Sequence, residues 1–179
     1  LDAVNRVNAD AVIILPNNSN IIMAANSAAQ LSEKPCGVVP TKSVPASFSA
    51  LFGADPEADL DTNIESMTDA FSEVKTGEIT TAIKDSKDAH DNPIHNGDVI
   101  GIADGSIEAV GQSLDEVLFA LLKAMEAEDM DNLTLLAGAD LSQDDFDALV
   151  EKVEQEYDDL EIDAQRGEQP LYPLVFSLE

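Results

Sequence analysis

Two short polar clusters hold the side chains best suited to chemistry. The first is Asn17, Asn18 and Asn20, directly after the apolar run Ala11-Val12-Ile13-Ile14-Leu15-Pro16. Their amides offer donors and acceptors just ahead of a helical stretch, whose first backbone N–H groups favour anions. A phosphate or carboxylate could sit there. No glycine lets the backbone wrap a diphosphate, which excludes a P-loop or a dinucleotide fingerprint. Asparagine also caps helices and shapes turns. Capping accounts for one or two of the three, so ligand binding and capping both stand. The second cluster, Thr41-Lys42-Ser43, follows Cys36-Gly37-Val38-Val39-Pro40 and supplies a hydroxyl, a cation and a helix cap. Lys42 suits an anionic ligand or an acidic residue of a partner. Nothing identifiable desolvates or orients a Ser–Lys nucleophilic pair, so binding outweighs catalysis.

The remaining candidates are weaker. His90 and His95 stand among Asp85, Asp88, Asp91 and Asp98, but on a turn, and a metal needs three or four ligands on rigid elements. The pairs Asp144-Asp145 and Asp158-Asp159 read as solvated surface, and no Asp-x-Asp spacing has the Gly and bidentate Glu of an EF-hand loop. Cys36, the single cysteine, reads as a small strand residue rather than a reactive thiol. Gly167-Glu168-Gln169-Pro170-Leu171-Tyr172-Pro173 is a rigid turn into a last strand, with Tyr172 expected in the core. No metal ligands and no catalytic residues are assigned.

The elements around these clusters follow from periodicity. Both clusters end β-branched runs joined through a helix at 21–31, the pattern of parallel strands covered on both faces. A right-handed crossover places both turns at one sheet edge, the carboxyl end where ligands bind in such sheets. Ser43 with Pro45 opens a further helix near Phe48 and Leu51, and Asp61 or Thr62 opens another carrying Ile64, Met67, Phe71 and Val74. After Lys75 the texture changes. A strand is expected over 78–84. Asp104-Gly105 joins a hairpin between 99–102 and 107–110. Ser113 with Glu116 forms a capping box, Ser142 caps another helix, and strands follow at 132–136, 160–162 and 174–176. The fold class is α/β in residues 1–74, with a parallel sheet, passing to a mixed, partly antiparallel α+β half in 75–179. One domain with two subdomains fits the length.

Charge divides the chain in the same direction. The formal net charge is −27, yet residues 1–53 hold three acids and three bases, while 126–168 hold 16 acids against Lys152 and Arg166. Such a field repels nucleic acid and anionic lipid, so neither is a partner. No apolar run approaches the length of a membrane span. One cysteine permits no internal disulfide and agrees with a reducing, cytoplasmic setting. The chain opens Leu1-Asp2 without an initiator Met or a basic leader, and is expected to be a piece of a longer protein.

Ile14-Leu15-Pro16-Asn17-Asn18-x-Asn20-Ile21 followed by Val39-Pro40-Thr41-Lys42 resembles the C-terminal region of the bacterial dihydroxyacetone-kinase-like family, which includes the ATP-binding subunit of fatty acid kinase. Thr76-Gly77-Glu78-Ile79-Thr80, Gly97-Asp98-Val99-Ile100-Gly101 and Gly167-x-Gln169-Pro170-Leu171-Tyr172 agree with it in order along nearly the whole chain. Three positions depart. Glu168 stands where the family usually has Gly, Ser19 where a longer side chain is frequent, and Lys84 where Arg is commoner. The resemblance implies the fold shared by dihydroxyacetone kinase subunits and DegV-like lipid binders. It implies a module without catalysis of its own that engages a DegV-like fatty-acid-binding subunit, within a phospholipid-synthesis kinase. ATP and Mg²⁺ would belong to a separate N-terminal domain, with no cofactor in this region. Asn17, Asn18, Asn20, Thr41, Lys42 and Ser43 are then the binding residues. A homodimer is a further option. The alternative is a polyol- or phosphate-binding kinase or phosphatase domain of the dihydroxyacetone kinase type.

Overall fold

A computed structural model describes residues 1–88 and 91–179. Two compact units divide the chain, Leu1–Val74 and Lys75–Glu179.

The front unit begins with a short helix α1 (Asp2–Arg6), then strand β1 (Val12–Ile14), helix α2 (Ile22–Gln30), strand β2 (Cys36–Val38), and helices α3 (Val44–Phe52) and α4 (Leu60–Ala70). The two strands pair in parallel, Val12 opposite Cys36 and Ile14 opposite Val38, and α2 makes the crossover that parallel pairing requires. Caps set the helix starts. The Asn18 side chain accepts from the Asn20 N–H at 2.9 Å and caps a single 3-10 turn, Ser19–Ile21. That turn leads into α2, which has no side-chain cap of its own. Ser43 caps α3 by accepting from the Ala46 N–H at 3.2 Å, with Pro45 in the first turn. Asp59, rather than Asp61 or Thr62, caps α4 through the Thr62 N–H at 2.9 Å. The core is small: Val39, Ala50 and Met67, with Ile13, Leu15, Ile64 and Phe71 packed around them.

The rear unit comprises strands β3 (Lys75–Thr81), β4 (Ser86–Lys87), β5 (Pro93–Ile94), β6 (Val99–Ala103) and β7 (Ser106–Gly111), helix α5 (Leu114–Ala124), strand β8 (Asn132–Ala137), helix α6 (Gln143–Glu156), and strands β9 (Glu161–Arg166) and β10 (Leu174–Leu178). Its six-stranded sheet has the order β7-β6-β3-β10-β8-β9, antiparallel except for the β8–β9 pair. The strand expected over 78–84 starts earlier, because Lys75–Thr81 pairs on both sides, with β10 and with β6. The strand expected at 160–162 shifts to Glu161–Arg166 through its register with β8. Asp104 and Gly105 both have positive φ, 47° and 92°, as a tight hairpin turn requires. One sheet face packs under Leu118, Leu121 and Leu122 of α5 and Phe146, Leu149 and Val153 of α6. Gly77 must be glycine, since a Cβ there would lie 2.1 Å from the Phe176 ring. A second cluster joins Ala82, just after β3, Ile94 of β5 and Ile100 of β6, with Ile102, Ile107 and Val110 of β6 and β7 packed against them. The Glu116 carboxylate accepts from the Gln112 N–H at 2.9 Å, one residue ahead of the Ser113 cap.

Candidate functional site

At the carboxyl ends of β1 and β2 the two polar clusters meet. Pro16 ends the first strand, and Asn17 turns the chain at φ 60°, a left-handed conformation that Asn tolerates better than most residues. The Thr41 hydroxyl donates to Asn17 Oδ1 at 3.0 Å, and the Asn17 N–H donates back to Thr41 Oγ1 at 3.3 Å. Ser47 joins them. Its hydroxyl lies against Asn17 Oδ1 and at 3.0 Å from Thr41 Oγ1. Thr41, Ser43 and Ser47 are buried. Among the described residues no buried side-chain polar atom lacks a partner. Asn17, Thr41 and Ser47 thus form a closed polar knot that ties the two turns together, with Ser43 beside it as the cap of α3. The sequence brought Asn17, Thr41 and Ser43 into view but not Ser47, whose one signal was its spacing of four from Ser43.

The other three candidates face outward. Asn18, Asn20 and Lys42 are exposed, flanking the knot on the residues next to Asn17 and Thr41. Alongside Lys42 runs a feature the periodicity did not reveal. On α3 the buried residues are Pro45, Ala46, Ser47, Ser49 and Ala50, whereas Val44, Phe48, Leu51 and Phe52 are exposed. Small side chains let α3 approach α4 closely, which turns the large ones to the surface. Desolvation pushes the Cys36 thiol up from its ordinary value, so it is a poor nucleophile at neutral pH.

In the rear unit two of the segments that carried the family resemblance converge. Glu78 alternates with Gly77 and Ile79, so it points away from α5 and α6, and burial raises its carboxyl above the usual range. Tyr172 is half-buried rather than a core aromatic, and burial followed by the Glu78 charge pushes its hydroxyl upward. The Thr80 hydroxyl donates to the Leu171 carbonyl at 2.7 Å, and Gln169 Nε2 donates to the carbonyls of Leu136 and Tyr172 at 2.8 and 3.2 Å. These bonds fix a turn in which Glu168 and Leu171 have φ of 54° and 71°. Glu168, which departs from the family's usual Gly, therefore occupies the backbone conformation that glycine favours. His95 Nδ1 lies 3.6 Å from Asp98. His90 falls outside the described residues, among which no group of three or more His, Cys, Asp or Glu side chains could hold a metal.

The family model for the C-terminal region of FakA-like fatty acid kinase proteins matches residues 1–179. The chain belongs to that family. Protein YloV of Bacillus subtilis (strain 168) is 39% identical over 180 residues, covering 100% of this chain and 32% of the relative. An uncharacterised protein of Staphylococcus haemolyticus is 41% identical over 167 residues, covering 93% of this chain and 30% of its own length. The chain thus spans about a third of these relatives. Among solved structures, a DegV family protein of Corynebacterium glutamicum superposes with a TM-score of 0.61 at 12% identity over 99% of this chain and 76% of its own. A fatty-acid-binding DegV family protein of Thermus thermophilus gives 0.58 at 14% over 99% and 73%. The dihydroxyacetone kinase operon co-activator DhaQ gives 0.55 at 12% over 99% and 68%. At these identities the likeness is one of fold, a mixed α/β architecture common to DegV and dihydroxyacetone kinase-type proteins. No helix among the described residues is long and apolar enough to cross a membrane.

Proposed function

We propose that this family member is the docking domain of a fatty acid kinase-like protein. It would engage a DegV-like fatty-acid-binding subunit so that the bound acyl carboxylate can be phosphorylated by a separate domain holding ATP and Mg²⁺. The observation that carries the reading is the division of labour at the β1–β2 edge. Asn17, Thr41 and Ser47 hydrogen-bond to one another, while Asn18, Asn20 and Lys42 are left exposed around them. A rigid turn pair presenting amides and one cation suits contact with a protein surface. The patch also lies in the stretch where acids and bases balance, so a partner of either charge meets little local repulsion there.

The same closure weighs against a polyol or phosphate site of the dihydroxyacetone kinase type. Such a ligand needs free donors, and the hydroxyls best placed to give them are already bonded to neighbours.

Replacing Asn18 and Lys42 together by Ala tests the proposal. Losing the Asn18 cap should cost about 1 kcal/mol of stability, whereas loss of a polar hot spot should weaken binding of a DegV-like fatty-acid-binding protein by at least about tenfold. Calorimetric titration beside a thermal melt measures both. Unchanged affinity in a folded variant would remove this patch from the docking surface.

A further inference from the structure

The two edges of the rear sheet are finished differently. β7 closes one edge, and its register with β6 slips between Gly101 and Ile102, leaving Glu108 as an extra residue in β7. Such a bulge twists an edge and spoils it as a template for further pairing. β9 closes the other edge. It pairs with β8 in parallel and without a slip, from Asn132 opposite Glu161 to Ala137 opposite Arg166. The strand holds neither proline nor glycine, which would blunt it. In a parallel ladder, residues that bond to the neighbouring strand alternate with residues that do not. The Glu161 N–H donates to the Asp131 carbonyl at 2.9 Å, and the Gly167 N–H to that of Ala137 at 2.8 Å. By that alternation Glu161, Asp163 and Gln165 turn their backbone groups to β8, and Ile162, Ala164 and Arg166 turn theirs outward. Among the described residues no strand lies beyond β9 to receive them.

We propose that β9 is a docking edge for an extended, basic segment of a partner protein, which joins the sheet beside it. The segment's backbone would bond to the outward N–H and C=O groups of Ile162, Ala164 and Arg166. Its alternate lysines or arginines would lie on the face that carries Glu161 and Asp163. The backbone sets the conformation of the occupant, since only another strand matches donors and acceptors at every second residue. The side chains set its charge. Asp158, Asp159, Glu161 and Asp163 are exposed along this margin. The two bases of 126–168 are already committed. Lys152 pairs with Asp115, and Arg166 binds Glu168 and the carbonyls of Leu141 and Gly138. The same acids disfavour a second copy of the chain. Two β9 edges brought together would set acid against acid, and like charges opposite one another destabilise a strand pair. The attraction is screened beyond roughly 8 Å at physiological salt, so it acts once the strands are in contact. The edge belongs to the rear unit, and the Asn18 and Lys42 patch has no part in it.

The test adds a synthetic hexapeptide alternating lysine with threonine to the 179-residue chain and follows backbone amide exchange by nuclear magnetic resonance. The peptide should bind and slow exchange at Ile162, Ala164 and Arg166, while Glu161, Asp163 and Gln165, already bonded to β8, change little. Ala164→Pro removes an outward N–H and no bond to β8, and should weaken binding at least about tenfold, with circular dichroism confirming the fold. Glu161→Lys together with Asp163→Lys should abolish binding of the lysine peptide and confer binding of a glutamate–threonine counterpart. That exchange of preference is a readout a misfolded variant cannot give. No binding overturns the proposal, as does binding without protection of the three outward amides. Equal binding by the Ala164→Pro chain overturns it too. A lysine peptide methylated at every backbone nitrogen keeps its charge and cannot pair; equal binding of that peptide would reduce the contact to charge attraction and overturn the proposal. Concentration-dependent protection of the same amides without peptide would give the edge to a second copy and overturn it likewise.

Discussion

Helix α3 of the front unit turns small residues inward and large ones outward, whereas α5 of the rear unit does the opposite. In α3 the buried positions are Pro, Ala and Ser, and the unit's core cluster is small, Val39, Ala50 and Met67 with Ile13, Leu15, Ile64 and Phe71 packed against it. In α5 the buried positions are Val117, Leu118, Leu121 and Leu122, all fully covered. The surfaces differ accordingly. Among the described residues the exposed large hydrophobics of the rear unit are Ile83 and Leu171, while nine others lie in residues 1–74. Acids outnumber bases 10 to 3 in the front unit and 26 to 6 in the rear. A surface crowded with like charge holds water and repels neighbours of its own sign. An apolar surface with few charges invites contact. The rear unit is built to be stable, and apolar contact falls to the front unit.

The sharpest test of that contrast pairs two phenylalanines. Phe176→Ala removes a fully buried ring from the middle strand of the rear sheet and should cost about 3–5 kcal/mol. Phe52→Ala removes an almost fully exposed ring and should change stability by less than about 0.5 kcal/mol. Urea midpoints measure both, and comparable losses at the two sites would break the comparison.

The polar knot is the front unit's substitute for apolar bulk. Asn17→Ala removes the acceptor used by Thr41 and Ser47 and sets a Cβ at φ 60° without the local bonding that favours Asn there. The expected loss is about 2–3 kcal/mol. Asn17→Gly should recover the backbone share and leave the hydrogen-bond share. Equal losses in the two variants, read from chemical denaturation, would mean the backbone contributes nothing.

In the rear unit the strained turn offers a gain. Glu168→Gly should stabilise by about 1 kcal/mol through relief of the left-handed backbone. The exposed ion pair to Arg166 at 2.8 Å offsets little of this, because surface pairs contribute under about 1 kcal/mol. A lowered melting midpoint would show that the Arg166 contact matters more than the strain.

The smallest effect concerns Glu78. Burial raises its folded pKa above the ordinary 4.5, so the folded state favours the protonated form. Its contribution is fully present below 4.5 and is lost as pH rises through the folded value. Glu78→Gln should therefore raise the melting midpoint at neutral pH and remove a pH dependence that begins just above 4.5. Thermal melts across that window check it, and a midpoint lowered at neutral pH would assign Glu78 a favourable charged partner.

Local signals were the legible part of this chain. The strands at 12–14 and 36–38, the caps Asn18, Ser43, Ser113 and Ser142, and the Asp104-Gly105 turn all lie where short-range chemistry puts them. Asp59 was missed as the cap of α4 because Asp61 and Thr62, two and three residues on, carry the same capping chemistry. The site was half legible. Residue type marked Asn17, Asn18, Asn20, Thr41, Lys42 and Ser43 alike, but only the geometry separated those bonded inward from those presented outward.

By itself the sequence determined the fold class, the division of charge, the caps Ser43, Ser113 and Ser142 and the family, because each rests on residues close together or on composition summed along the chain. Tertiary structure decided the rest. The last strand, β10, enters the middle of the sheet between β3 and β8, a choice set by partners far from it in sequence. It also decided that Phe48, Leu51 and Phe52 face out. Hydrophobicity argues that large apolar side chains are buried, yet in α3 the small side chains win the inward face because only they let α3 and α4 approach closely. A Cβ added at Gly53 would lie 2.4 Å from the Ser66 carbonyl oxygen. Periodicity names the two faces of such a helix, and the width of the gap it must fill selects which one is inside.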